Sequence, residues 1–153
     1  MSFQAKKIHM RLARKEDSDV ILEWRNHPDT RRFFFDSSSI DPEIHKTWFS
    51  AVLVNPSRYL LIGEDAARKP VGVVRFDLEE NAADISIYLA PQRREEGLGT
   101  PLLDAAVKWL KENSTIEHIF ADVLPTNGAS LKMFAAFGFK SNLHRLSLDI
   151  RNR

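Results

Sequence analysis

The sequence predicts an α/β (α+β) fold: a mixed central sheet of about six to seven strands with helices on both faces. Three observations carry that reading. The middle of the chain holds three β-branched and aromatic runs separated by short turn-like segments, which reads as an antiparallel meander. A glycine-rich connection then leads from the third run into a long amphipathic pattern. Strand and helix patterns alternate after it, and a meander followed by helical crossovers makes a mixed sheet covered on both sides.

Taken in order, residues 8–12 form a short opening strand. Residues 15–26 are helical: Asp17 is placed to cap them, Val20, Ile21 and Trp24 share a face, and His27-Pro28 stops them. Asp41 caps a second helix with Pro42 in its first turn, where a missing N–H costs little. Its apolar stripe is Ile44, Trp48, Phe49 and Val52, and Asn55-Pro56 ends it. The meander strands are residues 59–64, 71–78 and 83–89, with turns at 65–70 and 79–82. Residues 100–113 are an amphipathic helix with Leu102, Leu103, Ala106, Val107 and Leu110 on one side. A strand follows at 119–124, then a helix at 127–137 with Gly138 suited to its C-terminal cap. Residues 139–142 and 144–150 are the last extended pieces. The predicted order is β-α-α-β-β-β-α-β-α-β.

Composition narrows the function. At 153 residues, with 43% hydrophobic and 28% charged side chains, the chain can bury an ordinary core. No repeat, low-complexity tract or Gly/Ser linker divides it, so residues 1–153 are expected to form a single domain. Net charge is +1 from 22 basic and 21 acidic side chains, too even for a generic nucleic-acid surface. Without cysteine there is no disulfide, thiolate nucleophile or cysteine-based zinc site. No clustered His and carboxylate spacing argues for a catalytic metal. The first ten residues lack the apolar core of a signal peptide, and no apolar run is long enough for a bilayer. A cytoplasmic protein with no membrane partner is expected.

The informative stretch is Pro91-Gln92-Arg93-Arg94-Glu95-Glu96-Gly97-Leu98-Gly99-Thr100, between a predicted strand and a predicted helix. Gly97 and Gly99 let the backbone turn sharply and approach a ligand with no Cβ in the way. Peptide N–H groups at the helix start then converge, with a partial positive charge of roughly half a unit. Such a pocket suits a pyrophosphate, and Arg93 and Arg94 add charge at its mouth. The alternative is a glycine-rich connection that binds nothing. A P-loop is excluded because no Gly-Lys-Ser/Thr follows, and the preceding meander argues against a dinucleotide-binding βαβ unit.

Residues 84–89, the loop 92–100, residues 118–124, Asn127-Gly128-Ala129-Ser130 and Phe137-Gly138-Phe139 together resemble the GNAT N-acetyltransferase superfamily. The resemblance runs through nearly the whole chain. It implies acetyl-CoA as acyl donor, its pyrophosphate held by Arg94, Gly97, Leu98, Gly99 and Thr100. It also implies that the strand before the loop splays from the next one and that pantetheine lies in the gap. Leu89 would offer backbone groups there, with Asn127, Ser130 and Phe134 on the other side. Asn127 also reads as a plain N-cap, and Ser130 as a solvated helix residue.

The N-terminal half is similar to acetyltransferases acting on nucleotide-linked 4-amino sugars in pseudaminic-acid-type biosynthesis. The residues that carry this are Glu23-Trp24-Arg25-Asn26-His27-Pro28, His45-Lys46-Thr47-Trp48-Phe49, Arg58-Tyr59 and Val74-Arg75-Phe76-Asp77. Ribosomal-protein acetyltransferases are more distant relatives with a similar core.

Amine attack on a thioester needs a neutral amine, a polarised carbonyl and a leaving thiolate. Asp122, five residues before Asn127, is the base candidate. On a strand it shares a face with Phe120 and Leu124, where desolvation would raise its pKa; the alternative is an aspartate paired with a neighbouring cation. Relatives place a tyrosine seven residues after the asparagine as general acid, where this sequence has Phe134. Either the enzyme dispenses with that acid, since a thiol of pKa about 8.5 is a tolerable leaving group, or it is inactive as an acetyltransferase; Tyr88 can also substitute, or serve as a core aromatic with a wet hydroxyl. For the acceptor, Arg25 and Arg75 suit a nucleotide diphosphate. Trp24 or Trp48 can stack a uracil or fill the core. His45 can contact phosphate or sugar, or be a satisfied polar group. The run Arg31-Arg32-Phe33-Phe34-Phe35 lines the acceptor mouth or serves a dimer contact. The expected function is acetyl transfer from acetyl-CoA to the amine of a nucleotide sugar. The rivals are a protein N-terminal or small-amine acetyltransferase and a CoA-binding module without catalysis. A homodimer through the final strand remains open beside any of them.

Overall fold

The computed structural model describes residues 6–142 and 145–153. Strands β1 (His9–Leu12), β2 (Arg58–Glu64), β3 (Pro70–Glu79) and β4 (Ala82–Leu89) lie side by side in antiparallel register, as the meander requires. β5 (His118–Ala121) joins β4 in parallel, and β7 (Arg145–Asp149) and β6 (Lys140–Asn142) complete the sheet. The strand order is β1-β2-β3-β4-β5-β7-β6.

Period-two alternation assigns the strand side chains to two cores. Leu60, Ile62 and Val73 pack with Trp24 and Phe49, under α1 (Ser18–Asn26) and α3 (Pro42–Leu53). Leu61, Val74 and Phe76 pack with Leu102, Leu103 and Leu110 of α4 (Gly99–Asn113), and with Phe134 of α5 (Gly128–Phe137). Each fully buried side chain of this size contributes about 1.5–3 kcal/mol. Two paired glycines bring α4 close. Gly63 and Gly72 are opposite each other on β2 and β3, and Leu102 fills the notch they leave.

Several elements differ from expectation. The first helix splits: residues 15–17 are a 3-10 turn and α1 starts at Ser18. Asp17 does not cap it with its side chain. Its carboxylate accepts from Arg11 Nη1 at 2.8 Å and from the Arg14 N–H at 2.7 Å instead. His27-Pro28 ends α1 but opens a further short helix, α2 (Pro28–Arg31). Pro28 is its first residue, and His27 Nδ1 accepts from the Asp29 N–H at 3.1 Å.

On α3 the Asp41 carboxylate caps as expected, accepting from Glu43 and Ile44 N–H groups. The buried stripe is His45, Phe49 and Val52, however, while Ile44 is 67% exposed. β5 stops at Ala121, three residues earlier than its pattern suggests, because β4 pairs with it only as far as Asp84↔Phe120. The strand expected at 144–150 is seen from Arg145 to Asp149; His144 lies outside the described residues. No helix among the described residues is long and apolar enough to cross a membrane.

Candidate active site

The early end of β5 makes the site. Beyond Asp84, β4 stays paired with β3 through Leu89, but among the described residues no strand lies beside its other edge. Backbone groups of residues 85–89 on that edge are free for a ligand. The gap opens into a cleft of about 590 Å³. Ile85, Ile87 and Leu89 line one side, Ala121, Asp122 and Val123 the other. The splayed pair expected from the resemblance is therefore present.

One end of the cleft is the loop before α4. A 3-10 turn at Pro91–Arg93 leads into it, and Glu95 (φ 68°) and Gly97 (φ 71°) both take left-handed backbone conformations. Gly97 does so without the Cβ penalty; Glu95 bears it, by about 1–2 kcal/mol. Leu98 precedes α4 with no side-chain cap, and the N–H groups of residues 95–100 donate to no acceptor among the described residues. Gly97, Gly99 and Thr100 face the cleft, while the Leu98 side chain is buried, leaving only its backbone to offer. Uncommitted amides at a helix start form an anion site.

The two loop arginines divide. Arg94 lines the cleft and donates to the Asp29 carbonyl of α2. Arg93, expected at the mouth, turns away: Asp65 holds it at 3.0 Å, Glu96 at 3.1 Å and the Pro70 carbonyl at 3.2 Å. Lys6, ninety positions from its partner, donates to the Glu96 carbonyl and adds charge beside the loop. No local pattern in the sequence signals that contact.

From α5, Asn127, Ser130, Met133 and Phe134 line the opposite wall. Asn127 Oδ1 accepts from the Ser130 N–H at 3.2 Å, so the N-cap role is met and its amide nitrogen remains for other partners. Phe134 is 2% exposed and edge-on to Phe139 at 4.8 Å, with no hydroxyl to give.

The other end of the cleft carries Arg75, Asp77, Asp84, Tyr88, Phe33 and Phe34. Phe35 lines the mouth and is 71% exposed, so the aromatic run belongs to the cleft. Tyr88 meets Phe34 edge-on at 5.7 Å. Burial pushes its hydroxyl above the ordinary value, outweighing the opposing charges of Arg25 and Arg75. Arg75 Nε and Asp77 Oδ1 approach to 3.2 Å, yet neither atom has an aligned hydrogen-bond partner; the contact is charge pairing without direction. Arg25 lies behind this wall rather than on it. Its guanidinium covers the Phe34 ring at 3.6 Å and donates to the Asp36 carbonyl at 3.1 Å, while Nη1 is buried without a partner.

Three candidates sit otherwise than a direct substrate role requires. Trp24 is 3% exposed in the core under α1. His45 is 4% exposed, with Nε2 at 3.0 Å from the Ser18 carbonyl, and burial lowers its pKa from the ordinary 6.5. Asp122 lacks the expected desolvation because the strand has ended before it. Its side chain is 49% exposed, and Arg145 binds both oxygens, Nε to Oδ1 at 3.1 Å and Nη2 to Oδ2 at 3.3 Å. Arg145 also reaches Asp84 and lies over the Phe120 ring at 4.7 Å, bridging β7, β5 and β4 where the strands part. Sequence reasoning gave no role to Arg145 or to Asp84, the first residue of the 84–89 stretch, because their pairing brings together strands 61 positions apart. Among the described residues, no group of three or more His, Cys, Asp or Glu side chains is placed to hold a metal.

Residues 7–140 match the acetyltransferase (GNAT) domain family. Acetyltransferase PseH of Campylobacter jejuni is 26% identical over 121 residues, covering 78% of this chain and 74% of that protein. Solved structures share the fold, two of them as follows. A domain from Methanocaldococcus jannaschii superposes with a TM-score of 0.81 at 22% identity, over 94% of this chain and 99% of the other. Spermidine N-acetyltransferase from Vibrio cholerae, in complex with CoA and spermine, does so at 0.86 and 14% identity, over 94% and 95%.

Proposed function

The chain belongs to the GNAT acetyltransferase family, and from that premise we propose that it transfers the acetyl group of acetyl-CoA to the amine of a nucleotide-linked amino sugar. The observation that carries the reading is the slot where β4 and β5 part, opening at one end on the uncommitted amides before α4. The donor pyrophosphate rests on the N–H groups of Gly97, Leu98, Gly99 and Thr100 with Arg94 beside it. Pantetheine follows the free β4 edge at Leu89, with Asn127, Ser130 and Phe134 along its other side.

The amine nitrogen bonds to the thioester carbonyl carbon, and collapse of the adduct breaks the C–S bond. Asp122 takes the amine proton through water. Tyr88, which burial keeps protonated, donates a hydrogen bond to the departing sulfur, which leaves as the thiolate and takes its proton from water. With a thiol pKa of about 8.5 the leaving group needs modest help, and a general acid contributes roughly 10²–10⁴-fold. Arg75, with Arg25 behind Phe34, draws the acceptor's diphosphate. The N-terminal signatures around Trp24-Arg25-Asn26 and His45 support this acceptor class by resemblance.

One observation favours a second acceptor class. Asp77, Asp84 and Asp122 all line the cleft, paired with Arg75 and Arg145, and a cationic amine such as a polyamine would compete with those arginines for the three carboxylates. Initial rates with acetyl-CoA against UDP-, CMP- and GDP-linked 4-amino sugars, spermidine and short peptides decide between them. Saturable turnover of a nucleotide sugar is expected. Turnover of spermidine alone selects the second class, and tight acetyl-CoA binding without transfer to any amine leaves a CoA-binding module.

A further inference from the structure

We propose that Arg94 is a two-position side chain that couples the donor site to the acceptor wall: it pins α2 and Phe33 in the free protein and releases them when a pyrophosphate occupies the loop. The inference rests on the donor reading given above, and goes beyond it by linking the two ends of the cleft through one residue.

Arg94 stands at the boundary of the two sites. Its backbone leads into the anion loop, three residues before Gly97. Its side chain, also on the cleft, donates from Nη1 to the Asp29 carbonyl and lies 5.8 Å from the Phe33 ring centroid. Asp29 belongs to α2, a single turn of four residues, and the chain beyond it continues into Phe33, Phe34 and Phe35 on the cleft. Short backbone bonds hold this segment, from the Thr30 and Arg31 N–H groups to the His27 carbonyl and from Phe33 and Phe34 to Thr30 and Arg31. A one-turn helix has little cooperativity of its own, so a contact from outside matters to it. Thr30 Oγ1, buried without a partner among the described residues, gives the turn no further anchor.

The guanidinium therefore has two possible partners. The Asp29 carbonyl is neutral, whereas a phosphate oxygen in the loop is charged. Charge-assisted bonds are roughly twice as strong as neutral ones, and the guanidinium fork fits phosphate in two bonds at once. A phosphate fork that uses Nη1 takes that group from the Asp29 carbonyl, so donor binding draws Arg94 off α2, and residues 28–36 loosen around the acceptor entrance. Linkage makes the effect reciprocal: whatever holds that segment closed weakens donor binding by the same factor.

Amide hydrogen exchange over residues 28–36 tests this, with CoA, inorganic pyrophosphate or pantetheine added and binding followed by calorimetry. In the wild type, CoA and pyrophosphate are expected to speed exchange there severalfold, and pantetheine, which lacks the diphosphate, to leave it unchanged. Arg94→Ala is expected to exchange fast without ligand and to show no further response. Arg94→Lys, which keeps the charge but loses the fork, is expected to lie between. CoA binding without any change in residues 28–36 of the wild type overturns the coupling alone. So does an Arg94→Ala protein as protected as the wild type without ligand. Failure of CoA to bind overturns the donor reading along with it, and the calorimetry separates the two failures.

Discussion

Gly72→Ala is the sharpest perturbation of the platform on which the site is built. A Cβ at Gly72 would stand 2.5 Å from the Tyr88 carbonyl oxygen, 2.9 Å from Leu102 Cδ2 and 3.0 Å from Leu89 Cα. Two of these three are backbone atoms of the neighbouring strand, fixed by the Gly72↔Leu89 and Val73↔Tyr88 pairs. They move only if β4 separates from β3, beside the segment proposed to hold pantetheine. Gly63→Ala meets Leu102 Cδ1 at 2.4 Å, which is nominally closer, but that atom is a side-chain tip able to change rotamer. Gly128→Ala meets nothing within 4 Å at the first turn of α5.

Overpacking of a close-packed core costs about 1–3 kcal/mol. Gly72→Ala belongs at about 3 kcal/mol and Gly63→Ala nearer 1 kcal/mol, whereas Gly128→Ala is neutral or gains up to about 1 kcal/mol. At about 2–4 °C per kcal/mol for a chain of this size, Gly72→Ala should melt about 6–12 °C lower. Thermal unfolding followed by circular dichroism reads the order directly, and acetyl-CoA titration of the folded variant should show weakened binding. A Gly72→Ala protein that melts with the wild type, or above Gly63→Ala, would refute the reasoning.

Three further outcomes follow from the same geometry. Tyr88→Phe should lower kcat by roughly 10²–10⁴-fold with little change in the acetyl-CoA KM; a loss under threefold in steady-state rates would remove Tyr88 as hydrogen-bond donor to the departing sulfur. His45 is held neutral by burial, so its folded pKa lies below the ordinary 6.5 and its contribution to stability is complete above that value. That contribution is lost as pH falls through the folded pKa, and urea midpoints between pH 7 and 5 should fall more steeply for the wild type than for His45→Gln. Thr30→Val replaces a buried hydroxyl with no partner and should be neutral or stabilising by about 1 kcal/mol in urea titration; destabilisation beyond that would show the hydroxyl to be satisfied.

The elements legible in the sequence were those with a local cause. The meander strands announce themselves by β-branched runs, α3 by the Asp41 cap and Pro42, and α4 by five leucine, alanine and valine residues on one face. The anion loop was legible for the same reason, since the glycines and the helix start are contiguous. What escaped depended on tertiary pairing. β5 carries an apolar pattern through Leu124, yet a strand lasts only as long as it has a neighbour, and β4 diverges after Asp84. The environment of Asp122 went with it: a face expected in the core is instead an exposed rim where Arg145 arrives from β7. His45 shows the converse. A histidine looks out of place in an apolar stripe, but the Ser18 carbonyl at the start of α1 satisfies it, and Ile44 is left outside.

Phe134 ties the sheet geometry to the chemistry. Phe134 lines the cleft from α5 with a ring that carries no hydroxyl, beside Ser130 of the same helix. Tyr88 belongs to the opposite face of the sheet, packed with the core under α1 and α3, yet it lines the same cleft. In a continuous sheet those facts would be incompatible, because a paired β5 would shut one face of β4 from the other. Past Asp84 no strand among the described residues stands beside β4, so the gap reaches both faces at once. A proton carried on the acceptor face is thus accessible to a thiolate arriving along the donor face. In the proposed mechanism, the same break in pairing that frees backbone groups for pantetheine gives a thiolate on the donor face access to the Tyr88 hydroxyl.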